Sequence, residues 1–138
     1  MRLQATAQFK PRGDLGRYVE VHITPAVRSA VEKSLKLIES SAKAKAPVDT
    51  GALRDSITSS IDDSGKTIVG QVGPHVPYAA YLEFGTGIAG AGSAGAGPGP
   101  YSSTWPGMIA RPYMRPAIDE NRTTVKDLFR GELSLALR

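Results

Sequence analysis

The sequence predicts an α+β fold, with antiparallel β hairpins packed on one long central helix and a C-terminal helix, and a long Gly-rich loop. Three observations carry this expectation. Apolar residues recur at helical spacing over residues 27–42 and again over 118–136. Two pairs of β-rich runs lie outside those stretches, each joined by a polar or Gly-containing turn. Helical and hairpin patterns are segregated along the chain and do not alternate as βαβ units.

In chain order, Leu3, Ala5, Ala7 and Phe9 alternate with more polar neighbours and read as a first strand. Tyr18, Val19, Val21 and Ile23 read as its partner, with the Pro/Gly-containing segment 10–16 as the turn. Thr24 is placed to cap a helix whose first position suits Pro25. Val27, Val31, Leu35, Ile38 and Ala42 then form one apolar stripe. Glu32–Lys36 and Glu39–Lys43 are oriented for i,i+4 ion pairs. Pro47 ends the helix, because the residue before a proline is pushed out of the helical region.

Asp49 or Thr50 can cap a short turn containing Leu53. Residues 57–61 and 67–72 read as a hairpin around the polar turn 62–66. Tyr78 to Phe84 fit one or two helical turns ended by Gly85. Residues 87–110 form a loop of Gly, Ala, Ser and Pro, with Tyr101, Trp105, Met108 and Ile109 at its far end. Large apolar groups on such an arm point to a docking role. Pro116 opens the last helix, whose stripe is Ile118, Val125, Leu128, Phe129, Leu133 and Ala136. The whole reads as a single domain, residues 1–138, with 87–110 as an insertion.

Composition excludes several function classes. The 138 residues contain no cysteine, so disulfide scaffolds, thiolate zinc sites and thiol catalysis are out. No apolar run approaches the ~20 residues of a membrane-spanning helix, and the N-terminus lacks the uninterrupted apolar stretch of a secretory signal. The net charge of +4 comes from scattered basic residues, which is weak grounds for a nucleic-acid reader.

Chemical motifs fare little better. Residues 85–90 match G-x-G-x-x-G, but the glycines run on into more glycine and then Pro98 and Pro100, so no helix N-terminus follows to receive a pyrophosphate. Ser64-Gly65-Lys66-Thr67 ends like a P-loop, yet Ser60 stands where its first glycine belongs. His22 and His75 have no partners at metal-ligand spacing. Glu83 sits among Tyr78, Tyr81 and Phe84 without a second carboxylate or nucleophile. Such a residue pairs with an arginine or caps backbone amides more often than it catalyses. Arg115, Arg122, Lys126 and Arg130 make one basic stripe on the last helix, read first as a solvated face and second as a surface for DNA.

Three motifs in order carry a family resemblance. Ala44-Lys45-Ala46-Pro47-Val48-Asp49-Thr50-Gly51-Ala52-Leu53-Arg54-Asp55-Ser56-Ile57 resembles an "AP-x-DTG-x-LR-x-SI" signature. Tyr78-Ala79-Ala80-Tyr81-Leu82-Glu83-Phe84-Gly85-Thr86 resembles "YA-x-Y-x-EFGT". Arg111-Pro112-Tyr113-Met114-Arg115-Pro116-Ala117 resembles a "P-x-x-RPA" element before a C-terminal helix. Together they are similar to a tail-component (neck or tail-completion) family of long-tailed bacteriophages. The resemblance implies a structural virion protein with no enzymatic activity and no cofactor, assembled in the host cytoplasm.

Its implied partners are copies of itself in a ring, with a hexamer favoured, the head-closure or connector protein, and the tail terminator or tail-tube protein. DNA passes through the ring's lumen without specific binding, and no membrane is involved. The alternative is a nucleic-acid-binding accessory protein. The expected structural heart is Pro47, Asp49, Thr50, Gly51, Leu53 and Arg54 with Tyr78, Ala79, Tyr81, Glu83, Phe84, Gly85 and Thr86, joined by Arg115 and Pro116. Asp49 and Glu83 are expected to hold backbone amides or an arginine, with Arg54 and Arg115 as candidates. Tyr101, Trp105, Met108 and Ile109 are the candidate interface.

Overall fold

A computed structural model describes residues 2–3, 14–64, 67–87 and 106–138. Among them are strand β1 (Arg2–Leu3), helix α1 (Asp14–Tyr18), a π-helical turn (Val19–Ile23) and helix α2 (Thr24–Lys45). Helix α3 (Ala52–Ser56), strands β2 (Thr58–Asp63) and β3 (Ile68–Gly73), helix α4 (Ala79–Phe84) and helix α5 (Met114–Ala136) follow. The sheet is antiparallel in the order β1-β3-β2, and the architecture is α+β. Tyr101, Trp105 and most of the 87–110 loop lie outside the described residues, as does most of the first predicted strand with its turn.

The β2–β3 hairpin forms where its pattern placed it, with Ser60 opposite Gln71 and Ile61 opposite Gly70. The N-terminal hairpin does not. Its second strand, expected over residues 18–23, is helical and runs straight into α2, and β3 pairs instead with β1. Two local forces override the β-branched pattern. Tyr18 and His22, one helical turn apart, bring their rings to 4.7 Å. Pro25 would clash with the Val21 carbonyl in a regular α-helix and cannot donate to it. A wider turn resolves both problems: the Thr24 amide and hydroxyl each donate to the Val19 carbonyl, the hydroxyl at 3.2 Å. Thr24 is therefore a helical residue and not a cap.

Helix α2 buries two adjoining stripes, Ala26, Ala30 and Ser34 beside Val31, Leu35, Ile38 and Ala42. A helix covered on two sides needs both, and α2 touches the sheet and α5. The sheet comes close because β3 carries glycine at the contact. A Cβ on Gly70 would stand 2.8 Å from Val31 Cγ1 and 2.9 Å from Leu35 Cδ1. Along the sheet's outer strand, Ser59 donates to Glu39 Oε2 at 2.6 Å and Arg28 Nη1 lies 2.8 Å from Asp63 Oδ2. The Lys43 ammonium, then the Ser59 hydroxyl, hold the Glu39 carboxyl below its ordinary range. The expected Glu39–Lys43 pair is present at 2.6 Å, whereas Glu32 turns back to Arg28 at 3.3 Å.

Helix α5 lies antiparallel to α2. Lys33 pairs with Glu132 near the end of α5, and Lys45 pairs with Glu120 near its start at 2.7 Å. Ala46 leaves the helical region at ψ 131, as the following proline requires. One core cluster unites the elements through Leu35, Ile38, Leu53, Ile57, Val72 and Tyr113.

Candidate assembly interface

The second and third motifs meet at the start of α5. That helix begins two residues before the expected Pro116, and its cap residue, Tyr113, supplies no capping side chain. The cap comes from α4. Glu83 Oε2 accepts the amides of Tyr113 at 2.8 Å and Met114 at 3.0 Å, and Oε1 accepts that of Arg115 at 3.0 Å. A helix start leaves four donors without intrahelical partners. Glu83 takes three of them, and Pro116 has no N–H to satisfy. Its charge also opposes the positive end of the helix dipole. The opposite end of α5 is tied from another element, because the Tyr18 hydroxyl donates to the Ala136 carbonyl at 3.0 Å.

Below Glu83 the chain closes on itself. Gly85, at φ 73, ends α4, and its amide bonds the Tyr81 carbonyl at 2.8 Å. Thr86 and Met108 then exchange both backbone hydrogen bonds, at 2.9 and 3.1 Å, and the Met108 amide also reaches Thr86 Oγ1 at 3.0 Å. The Arg111 amide bonds the Leu82 carbonyl at 2.7 Å. Gly107, at φ 68, permits this approach, since a Cβ there would fall 1.8 Å from the Thr86 carbonyl oxygen. The two ends of the Gly-rich segment thus meet in a clasp fastened to α5.

Tyr113, only 1% exposed, anchors the clasp in the core beside Met114 and Ala117. Burial, then the Glu83 carboxylate, then Tyr78 push its phenol up to about 12. A phenol that ionises less readily in the fold than in the unfolded chain adds stability that is whole below about pH 10 and is lost as pH climbs toward 12. Unfolding free energy measured against pH should therefore fall over that window, and less steeply in Tyr113→Phe.

The first motif serves the same core. Leu53 and Ile57 are buried in the cluster that holds Ala79 and Tyr113. Gly51 precedes α3 at φ 83, and the Ala52 amide reaches Thr50 Oγ1 at 3.4 Å. Pro47 is half-buried, while Asp49 and Thr50 are exposed. The expected link from Arg54 to Glu83 is not made: Arg54 Nε pairs with neighbouring Asp55 at 2.9 Å. Arg115 meets Glu83 through its backbone amide, and its guanidinium stands 5.9 Å from the centre of the Phe84 ring. Sequence reasoning missed Tyr113 and Gly107 as key residues. The available signal was an aromatic inside the third motif and a Pro-Gly step just before Met108.

The clasp presents apolar side chains to solvent. Tyr78 and Tyr81 on its α4 side are 41% and 43% exposed, and Met108 and Ile109 on the returning side 36% and 72%. Among the described residues no group of His, Asp and Glu could hold a metal ion. His75 is engaged by Thr58 Oγ1, 2.8 Å from its Nε2. The basic stripe on α5 carries its own counter-charges, Arg122 with Asp119 at 2.9 Å and Arg130 with Asp127 at 3.4 Å.

Comparison with known proteins places these features in context. Residues 9–85, more than half of the chain, match the model of the HK97-gp10-like family, described as "Bacteriophage HK97-gp10, putative tail-component". The matched stretch holds the first motif and the second through Gly85, and stops where the clasp begins to close. No curated protein and no solved structure matches the chain.

Proposed function

Because the chain belongs to the HK97-gp10-like family of phage tail components, we propose that it is a structural part of a long-tailed phage virion, one of a ring of identical copies at the head–tail junction. The ring joins the head connector to the tail tube, with DNA passing through its lumen. The observation that carries this reading is the clasp. It spends its polar groups on fixing backbone and leaves Tyr78, Tyr81, Met108 and Ile109 outside. Exposed aromatics and Met on a rigid support suit an interface core. A ring requires one face of a subunit to meet a different face of the next, and a clasp at one end of the α2–α5 pair supplies one such face.

Phage lacking this gene should accumulate unjoined heads and tails in electron micrographs, rescued by the wild-type gene but not by Ile109→Asp. That substitution lies on the surface and should change stability by no more than about 0.5 kcal/mol. Normally joined particles without the gene would contradict the reading.

A further inference from the structure

The sheet ends in a strand whose outer edge has no partner among the described residues. β2 is the last strand in the order β1-β3-β2. Alternate residues of an antiparallel strand turn their N–H and C=O groups outward, so a six-residue edge offers main-chain groups to a further strand. Beside this edge runs a groove open to solvent, lined by Glu32, Leu35 and Lys36 of α2 and by Ser59, Ser60 and Ile61 of β2. Helix and strand run in opposite directions here, since Arg28 meets Asp63 and Glu39 meets Ser59.

We propose that this edge and groove are the binding surface for a second copy of the chain, related by a two-fold axis through Ile61. The groove is self-complementary. A strand pairing antiparallel about Ile61 sets Ile61 against its own copy and continues the sheet from β3 through both β2 strands to the second β3. The two α2 helices then lie antiparallel on one face. Each sits over β3 at Gly70, so their axes are three strand spacings apart, about 14 Å.

That gap exceeds the 8–10 Å of close helix packing but is spanned by long side chains. The axis passes α2 between Glu32 and Lys36. Glu32 of one copy therefore faces Lys36 of the other, twice. Within a single subunit Lys36 makes no ion pair among the described residues, and Glu32 has only the exposed Arg28. Ile61, half-buried in the single subunit, is covered between the two ion pairs, above the already buried Leu35. This surface shares no residue with the clasp, and the dimer is a state of the subunit outside the virion.

Sedimentation equilibrium of the purified protein should show a monomer–dimer equilibrium. Lys36→Glu and Glu32→Lys should each weaken it roughly tenfold or more, because like charges then face each other twice. An equimolar mixture of the two variants should dimerise again, as should the double swap Glu32→Lys/Lys36→Glu. Hydrogen exchange should show alternate β2 amides protected in the dimer and open in dilute monomer. A protein that stays monomeric at every soluble concentration overturns the proposal. So does a dimer indifferent to both substitutions, or a mixture that fails to recover. Ile109→Asp should leave this dimer intact, which separates its failure from failure of the ring.

Discussion

Glu83→Ala is expected to lower the unfolding free energy by about 2–4 kcal/mol, among the largest effects of any single change in the described residues. The reason is the arithmetic of donors at the start of α5. One carboxylate satisfies the amides of Tyr113, Met114 and Arg115, and no local side chain can replace it. Water can reach Arg115, which is exposed, but less readily Tyr113, which is not. Glu83→Gln should recover about half of the loss, since it keeps one acceptor oxygen and gives up the charge facing the helix dipole. Urea denaturation with an unchanged slope would give these values. Hydrogen exchange should show the losses concentrated at residues 113–115. Additive behaviour of Glu83→Ala with Arg54→Ala is expected too, because Arg54 engages Asp55.

Gly107→Ala is expected to cost about 2–3 kcal/mol and to abolish assembly at temperatures where the variant is still folded. The methyl group would overlap the Thr86 carbonyl, so the Thr86–Met108 pair must open. Met108 and Ile109 then lose their position. Gly131→Ala is the matched control. It lies in α5 with open space around it, and alanine there should stabilise the protein by about 0.5–1 kcal/mol. Thermal unfolding of both variants would test the pair. A Gly107→Ala protein as stable as wild type would mean that the clasp does not bear on the fold.

Helices with a long apolar stripe and a clear stop, such as α2, were legible from periodicity and from Pro47. So was the β2–β3 hairpin, because its turn chemistry and both strand patterns agree. The segment 18–23 was not legible. Its β-branched residues favour a strand locally, while the neighbouring helix and the clash at Pro25 favour a wide helical turn. No short-range pattern ranks those two effects. The start of α5 was misplaced for a different reason: its cap is thirty residues away, from Tyr113 back to Glu83. Sequence left two roles open for Glu83, pairing with an arginine or capping amides, and gave no means of choosing between them or of naming the amides it holds. The three motifs were visible as words, and the structure adds that Leu53, Ala79 and Tyr113 place all three in one core.

The central claim is that this chain works by fitting through its clasp to copies of itself and to tail proteins. Native mass spectrometry of the purified subunit mixed with its tail-tube protein tests that most directly. A closed ring of equal copies should form with wild-type protein and fail with Ile109→Asp and with Tyr81→Asp, each still folded by circular dichroism. Rings that tolerate both substitutions, or no higher assembly with wild type under any mixing ratio, would contradict it.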